Sequence, residues 1–202
     1  MVSENKMTLE KRKAQFLRLL KKNIFCVDVE ATCSKDKTVP RDEMEVIEFG
    51  GVLLDRDTLE VKERIQFFVK PTIHPVLTEF CKDLTNITQE QVDEGRTHSW
   101  AVSLMSGFTK QFGNDFSWCS WGAFDKNIFL QDAAFHGTIP LLDPQNHFNL
   151  KVWFSNLNGK KKGFGLNKAV QYKCLEFIGE HHRALSDAEN VAQILRTMIA
   201  EV

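Results

Sequence analysis

The sequence predicts an α/β fold: one mixed central sheet with an antiparallel meander, flanked by helices. Two observations carry this. The first apolar, strand-like runs follow one another through short polar connections, as antiparallel strands do. After them come helical patterns, then strand–helix units, an order that layers helices on one sheet. With 202 residues, 43% of them hydrophobic and sixteen of them Phe, the chain is long enough to bury one full-sized core. One domain is therefore expected over 23–202, preceded by a helical extension over 1–22.

In the extension, Leu9, Phe16, Leu17 and Leu20 make an apolar stripe, with Lys11, Arg12, Lys13, Arg18, Lys21 and Lys22 around it. That basic face is either solvated or an accessory nucleic-acid contact. The first strand runs from Ile24 to Thr32, and the polar stretch Ser34–Glu43, containing Pro40, is expected to be a mobile loop. Glu45–Asp55 and Val61–Val69 are the next strands, with a turn around Asp55-Arg56-Asp57. Pro71 and Pro75 break the pattern. Helices then fill the stretch from Val76 to Gly113, the longest being Ser99–Phe112. Phe116–Trp121 is a fourth strand. Asp125–Phe135 is a helix with Ile128, Phe129, Ala133 and Phe135 as its apolar residues, and a short strand follows near His147–Leu150. Lys160-Lys161-Lys162-Gly163 is a flexible basic loop. In the final helix, Ala188, Val191, Ala192, Leu195, Met198 and Ile199 follow i, i+3, i+4, i+7 spacing. There are no internal repeats.

Several function classes are disfavoured. No apolar stretch is long enough to span a bilayer, and the N-terminus lacks the apolar run of a secretory signal, so a cytoplasmic protein with no membrane partner is expected. Cys26, Cys33, Cys81, Cys119 and Cys174 form no C-x-x-C pair and are odd in number, which argues against a disulfide framework or a zinc finger. A net charge of −1 gives no global attraction for nucleic acid. This counts against a DNA-coating protein, but not against an enzyme that is acidic where it holds metal and basic nearby.

The candidate site begins at Asp28 and Glu30, where an apolar strand ends in two acids at i and i+2. Strand side chains alternate faces, so both carboxylates share one face, roughly 6.6 Å apart along the backbone. They either emerge into solvent or are neutralised by a hard divalent cation, since Mg²⁺ and Mn²⁺ take oxygen ligands. Asp125 stands just past a strand at a helix start, where it either caps the helix or joins the acids. Asp187 lies on the apolar side of the last helix. It is either aimed at the protein, where a lone charge is expensive, or part of the first turn behind a Ser186-x-x-Glu189 capping box. His182, five residues earlier, is about 140° off alignment on a continuous helix. From a preceding loop it can still reach inward, and its ordinary pKa suits a general base.

Together, Asp28-x-Glu30, Asp125 in W-G-x-F-D, and His182-x-x-x-x-Asp187 resemble, in order and context, the three motifs of the DEDDh (DnaQ-like) 3′–5′ exonucleases. Val27–Cys33, Glu45-Val46-Ile47-Glu48-Phe49, Phe68-Val69-Lys70-Pro71, Leu84–Gln89 and His182–Asn190 are further similar to its histone-mRNA 3′-exonuclease branch. The resemblance covers about residues 23–200. Trp121 stands where many DnaQ-like proteins carry Asn, and no SAP-type extension is visible.

The resemblance implies an RNase H-like fold and a metal-dependent 3′–5′ exonuclease that releases nucleoside 5′-monophosphates from the 3′ end of RNA, single-stranded DNA or both. Two Mg²⁺ or Mn²⁺ would be held by Asp28, Glu30, Asp125 and Asp187, with Glu30 and His182 catalytic. Glu30, Ala31, Thr32, Phe124 and His182 would seat the terminal nucleotide, although Phe124, like Trp121, is also readable as plain core. The competing expectation is a catalytically weak regulatory or interaction module on the same fold, against which the intact acidic set argues. Oligomeric state is not legible in the sequence.

Overall fold

Five strands form one mixed sheet. β1 (Asn23–Ala31), β2 (Val46–Asp55) and β3 (Val61–Phe68) are the antiparallel meander. β4 (Phe116–Ser120) and β5 (His147–Asn149) run parallel to β1 on its other side, giving the order β3-β2-β1-β4-β5. The structure, a computed structural model, describes residues 8–160 and 163–201. The expected mixed sheet with its meander is therefore what the chain builds.

Both faces of the sheet are covered. On one face Ile24, Cys26, Val52 and Leu54 pack against α1 (Leu9–Leu19), α6 (Leu150–Leu157), α7 (Leu166–Tyr172) and α8 (Ala184–Ala200). On the other, Phe25, Val27, Phe49 and Trp118 meet α4 (His98–Lys110) and α5 (Phe124–His136). This two-sided burial explains why β2 is buried along its whole length rather than alternating. Two short helices, α2 (Glu79–Thr85) and α3 (Gln89–Asp93), each start on a threonine N-cap and cover a smaller cluster around Ile47, Cys81 and Val92. The five cysteines are free thiols. Among the described residues no helix is long and apolar enough to cross a membrane.

α1 buries less of its predicted stripe than expected. Phe16 is fully buried between Phe148 and Trp153, with ring centroids 6.4 and 5.6 Å away, but Leu9 and Leu17 remain 45% and 38% exposed. Leu20 reaches the core because the chain turns extended there, at φ −75° and ψ 121°. Phe16→Ala should therefore lower stability by about 3–5 kcal/mol, as large-to-small core substitutions do, whereas Leu17→Ala should stay within about 0.5 kcal/mol, as surface changes usually do. Denaturant midpoints compare the two, and equal midpoints would show that α1 is not part of the core.

α6 and α7 fill the region after β5 for which the sequence offered only a basic loop. Lys161 and Lys162 of that loop lie outside the described residues, while the Lys160 ammonium sits 4.9 Å from the Tyr172 ring centroid.

Candidate active site

The site forms at the carboxyl end of β1, where α5 and α8 deliver two more acids. Oxygens of Asp28, Glu30 and Asp187 all lie within 4.8 Å of one another. A glycine makes this possible. Gly50 pairs with Asp28 across the ladder, and a Cβ there would lie 2.2 Å from the backbone of Ala184 and Leu185. Only a residue without a side chain lets the start of α8 sit so deep on β2.

Neither Asp125 nor Ser186 caps its helix, although Asp125 and Asp187 both stand in a first turn, where the helix dipole favours an acid. α5 takes Ala123 as its N-cap, and Asp125 in the first turn turns to the sheet instead, its Oδ1 accepting the Val29 N–H at 3.2 Å. α8 begins at Ala184 with Arg183 as N-cap, so Ser186 is already helical and Glu189 pairs with Arg64. Asp187 Oδ2 accepts the His182 N–H at 3.3 Å, while its Oδ1 is buried without a hydrogen-bond partner. Such an orphan oxygen carries an uncompensated desolvation cost.

The electrostatics say the same. Asp28 is held well above the ordinary carboxylate range by burial and by the charges of Asp125, Asp187, Glu30 and Glu48. Burial, then Asp187 and Glu48, push Glu30 up to about 8. Burial pushes Asp125 up to about 6, against the hydrogen bonds it accepts, and Asp187 up to about 6, against the pull of His181 and the His182 N–H. This all-oxygen cluster, with one orphan oxygen and too many negative charges for its burial, fits a hard divalent cation. Asp125 acts on the cluster through its charge and lies outside the 4.8 Å group.

His182 sits in the loop before α8 in a left-handed conformation, φ 64°. The fully buried Asn190 ties that loop to α8, its side chain bonding both the N–H (3.0 Å) and the carbonyl (2.9 Å) of Ile178. One atom each of His181, His182 and Asp187 falls within a second 4.8 Å group. Burial, helped by His181, lowers the His182 pKa.

The cleft over these groups holds about 300 Å³ and is walled by Ala31, Trp121 and Phe124 as well as by Asp28, Glu30, Asp187 and His182. Trp121 is half-buried, lining this wall while its ring packs on the core at Phe154 (centroids 5.4 Å apart) and its Nε1–H donates to the Phe164 carbonyl at 2.9 Å. Thr32 does not line the cleft. Its hydroxyl accepts the Glu45 N–H and its own N–H donates to the Glu45 carbonyl, both at 2.9 Å.

Sequence reasoning missed His181, Leu84 and, above all, the Glu48–Arg183 pair. Glu48 is fully buried opposite Glu30. It accepts the Arg183 guanidinium at 3.0 and 3.2 Å and the Ala184 N–H at 3.0 Å, clamping the segment that carries His182 to β2. Its one local signal is an acid in the middle of an otherwise apolar strand.

The exonuclease family model (RNase_T) matches residues 25–195. ERI1 exoribonuclease 2 of Mus musculus is 30% identical over 207 residues, spanning 92% of this chain and 30% of its own length. ERI1 exoribonuclease 3 of Mus musculus is 29% identical over 180 residues, 85% of this chain and 52% of that one. The chain thus spans only a third to about half of these curated relatives. The solved nuclease domain of 3′hExo, described as a DEDDh family member bound to rAMP, has a TM-score of 0.81 and 26% identity, covering 90% of this chain and 93% of that one. On these grounds the chain belongs to the exonuclease family, in its DEDDh (DnaQ-like) group and close to the 3′hExo branch.

Proposed function

We propose that the protein is a metal-dependent 3′–5′ exonuclease that releases nucleoside 5′-monophosphates from the 3′ end of RNA. The observation that carries this is the orphan Oδ1 of Asp187 beside Asp28 and Glu30, with His182 at its edge. The exoribonuclease names of the relatives favour RNA, and single-stranded DNA offers the same phosphodiester.

Asp28, Glu30, Asp125 and Asp187 would hold two Mg²⁺ or Mn²⁺. Bound there, the ions would lower the pKa of the attacking water and stabilise the leaving 3′ oxygen. A ring nitrogen of His182 takes the proton of that water, and its lowered pKa keeps the imidazole neutral and able to accept near neutral pH. Glu48 and Arg183 hold that histidine's segment in place. Glu30, the Ala31 backbone and Phe124 seat the terminal nucleotide, and stacking on Phe124 suits any base, as an exonuclease needs.

The test is a single-stranded RNA oligonucleotide with Mg²⁺, Mn²⁺ or excess chelator. Mononucleotide release from a free 3′ end is expected, with no release in chelator and none from a 3′-blocked strand. Internal cuts at the same rate on the blocked strand would point to an endonuclease and defeat this reading.

A further inference from the structure

Past Phe124 the active-site cleft opens into a second, larger one of about 600 Å³. The two share Cys33, Met44 and Phe124, and the second adds Lys37, Val39, Pro40 and Arg41 from the loop between β1 and β2. Charge is divided between them. Among the described residues, the first is lined by Asp28, Glu30 and Asp187 and by no Lys or Arg, and the second by Lys37 and Arg41 and by no acid.

The loop's own acids are turned to other work. Asp36 accepts the N–H and hydroxyl of Thr38, at 3.2 and 2.8 Å, and Glu43 meets His74 at 2.8 Å. Asp42 is exposed and does not line the cleft.

This loop, expected to be mobile, is pinned at both ends. The Val39 N–H donates to Ser34 Oγ at 2.9 Å, and Gln131 of α5 donates to the Met44 carbonyl at 2.7 Å and the Arg41 carbonyl at 3.3 Å. The Arg41 guanidinium lies 6.0 Å from the Phe124 ring centroid, so cation and aromatic form one wall. Two exposed cations above an apolar floor of Val39, Pro40 and Met44 match a phosphodiester backbone with unpaired bases.

We propose that this second cleft is the subsite for the nucleotides immediately upstream of the scissile bond, with Lys37 and Arg41 each meeting a backbone phosphate. This rests on the exonuclease reading. With the terminal nucleotide in the first cleft and the scissile phosphate at the acids, the rest of the strand must leave over the rim, and a polyanion leaves toward the cations. The substrate class is accordingly a single-stranded 3′ tail, because the floor contacts base faces that a duplex keeps stacked.

The experiment compares wild type with Lys37→Gln/Arg41→Gln on two substrates: a single-stranded RNA oligonucleotide, and thymidine 5′-(p-nitrophenyl phosphate), which has a terminal nucleotide and a leaving group but no upstream strand. The variant should raise KM for the oligonucleotide about tenfold and reduce the salt dependence of log KM by about 1.4, or about 0.7 for each lost phosphate contact. Its kcat on the oligonucleotide, and its kcat/KM on the ester, should stay close to wild type, because the lost contacts hold substrate and transition state alike. An unchanged oligonucleotide KM and salt slope, with ester hydrolysis intact, would overturn the subsite and leave the exonuclease standing. Loss of ester hydrolysis in the variant would also overturn it, by assigning the pair to the terminal nucleotide. A wild-type protein inactive on both substrates would defeat the exonuclease reading and the subsite with it.

Discussion

Asp28→Asn is expected to abolish mononucleotide release and, in the same protein, to raise the melting temperature of the metal-free form at pH 8. The two effects have one cause. Asp28 is lifted well above the ordinary carboxylate range by burial and then by Asp125, Asp187, Glu30 and Glu48. A carboxyl whose native pKa exceeds its unfolded value binds its proton more tightly when folded. The metal-free fold therefore loses stability as pH rises from about 4, the unfolded value, through the native values of about 6 for Asp125 and Asp187 and about 8 for Glu30. Wild type should melt lower at pH 8 than at pH 5. Asp28→Asn should flatten that slope, each kcal/mol of relieved repulsion being worth about 2–4 °C in a chain of this size.

Cation reverses the sign. For wild type at pH 8, Mg²⁺ at about 100 times its dissociation constant should contribute about 2.7 kcal/mol, or about 5–10 °C. In Asp28→Asn most of that shift should vanish, and kcat should fall by at least about 10³-fold, the upper end of what losing one charge-stabilising group costs. Calorimetric scans at pH 5 and 8, with and without Mg²⁺, read the stability terms, and the mononucleotide assay reads the rate. A variant that melts like wild type at every pH, or keeps its Mg²⁺ shift, would remove Asp28 from the cation site.

The acids were legible because strand alternation is a strictly local rule: Asp28 and Glu30 share a face whatever surrounds them. Asp125 and Asp187 were ambiguous for the opposite reason. Capping patterns assume a helix start, and the start of α8 is set by its close contact with Gly50, a residue 134 positions from Ala184, not by Ser186. The same distance hid the Glu48–Arg183 clamp, whose partners are 135 residues apart. α6 and α7, at eight and seven residues, are too short for periodicity to declare and are held by packing Phe154, Ala169 and Val170 into the core. The loop at 34–43 reads as mobile from its polar composition and Pro40, but beside the local bond from Val39 to Ser34 the hydrogen bonds that pin it come from Gln131 in another element.

The largest kinetic test of a single side chain falls on His182, and the substitution has to respect its backbone. At φ 64° an alanine would add left-handed strain to the loss of the imidazole, whereas Asn is among the residues that accept this region. His182→Asn is therefore expected to lower kcat about 10²–10⁴-fold, the contribution of a positioned general base, while KM and the Mg²⁺-induced melting shift stay close to wild type. The backbone N–H that donates to Asp187 survives the change, as do the Glu48–Arg183 pair and the Asn190 tether that hold the loop, so the cation site should remain assembled. The pH profile separates a base from a structural residue. Wild-type kcat should rise out of acid as His182 loses its proton at a pKa below the ordinary histidine value, and the variant should lack that limb. If His182→Asn keeps both the rate and the limb, the proton goes elsewhere. His181 is then the group to test, because its ring centroid lies 3.9 Å from that of His182 and its charge already acts on Asp187.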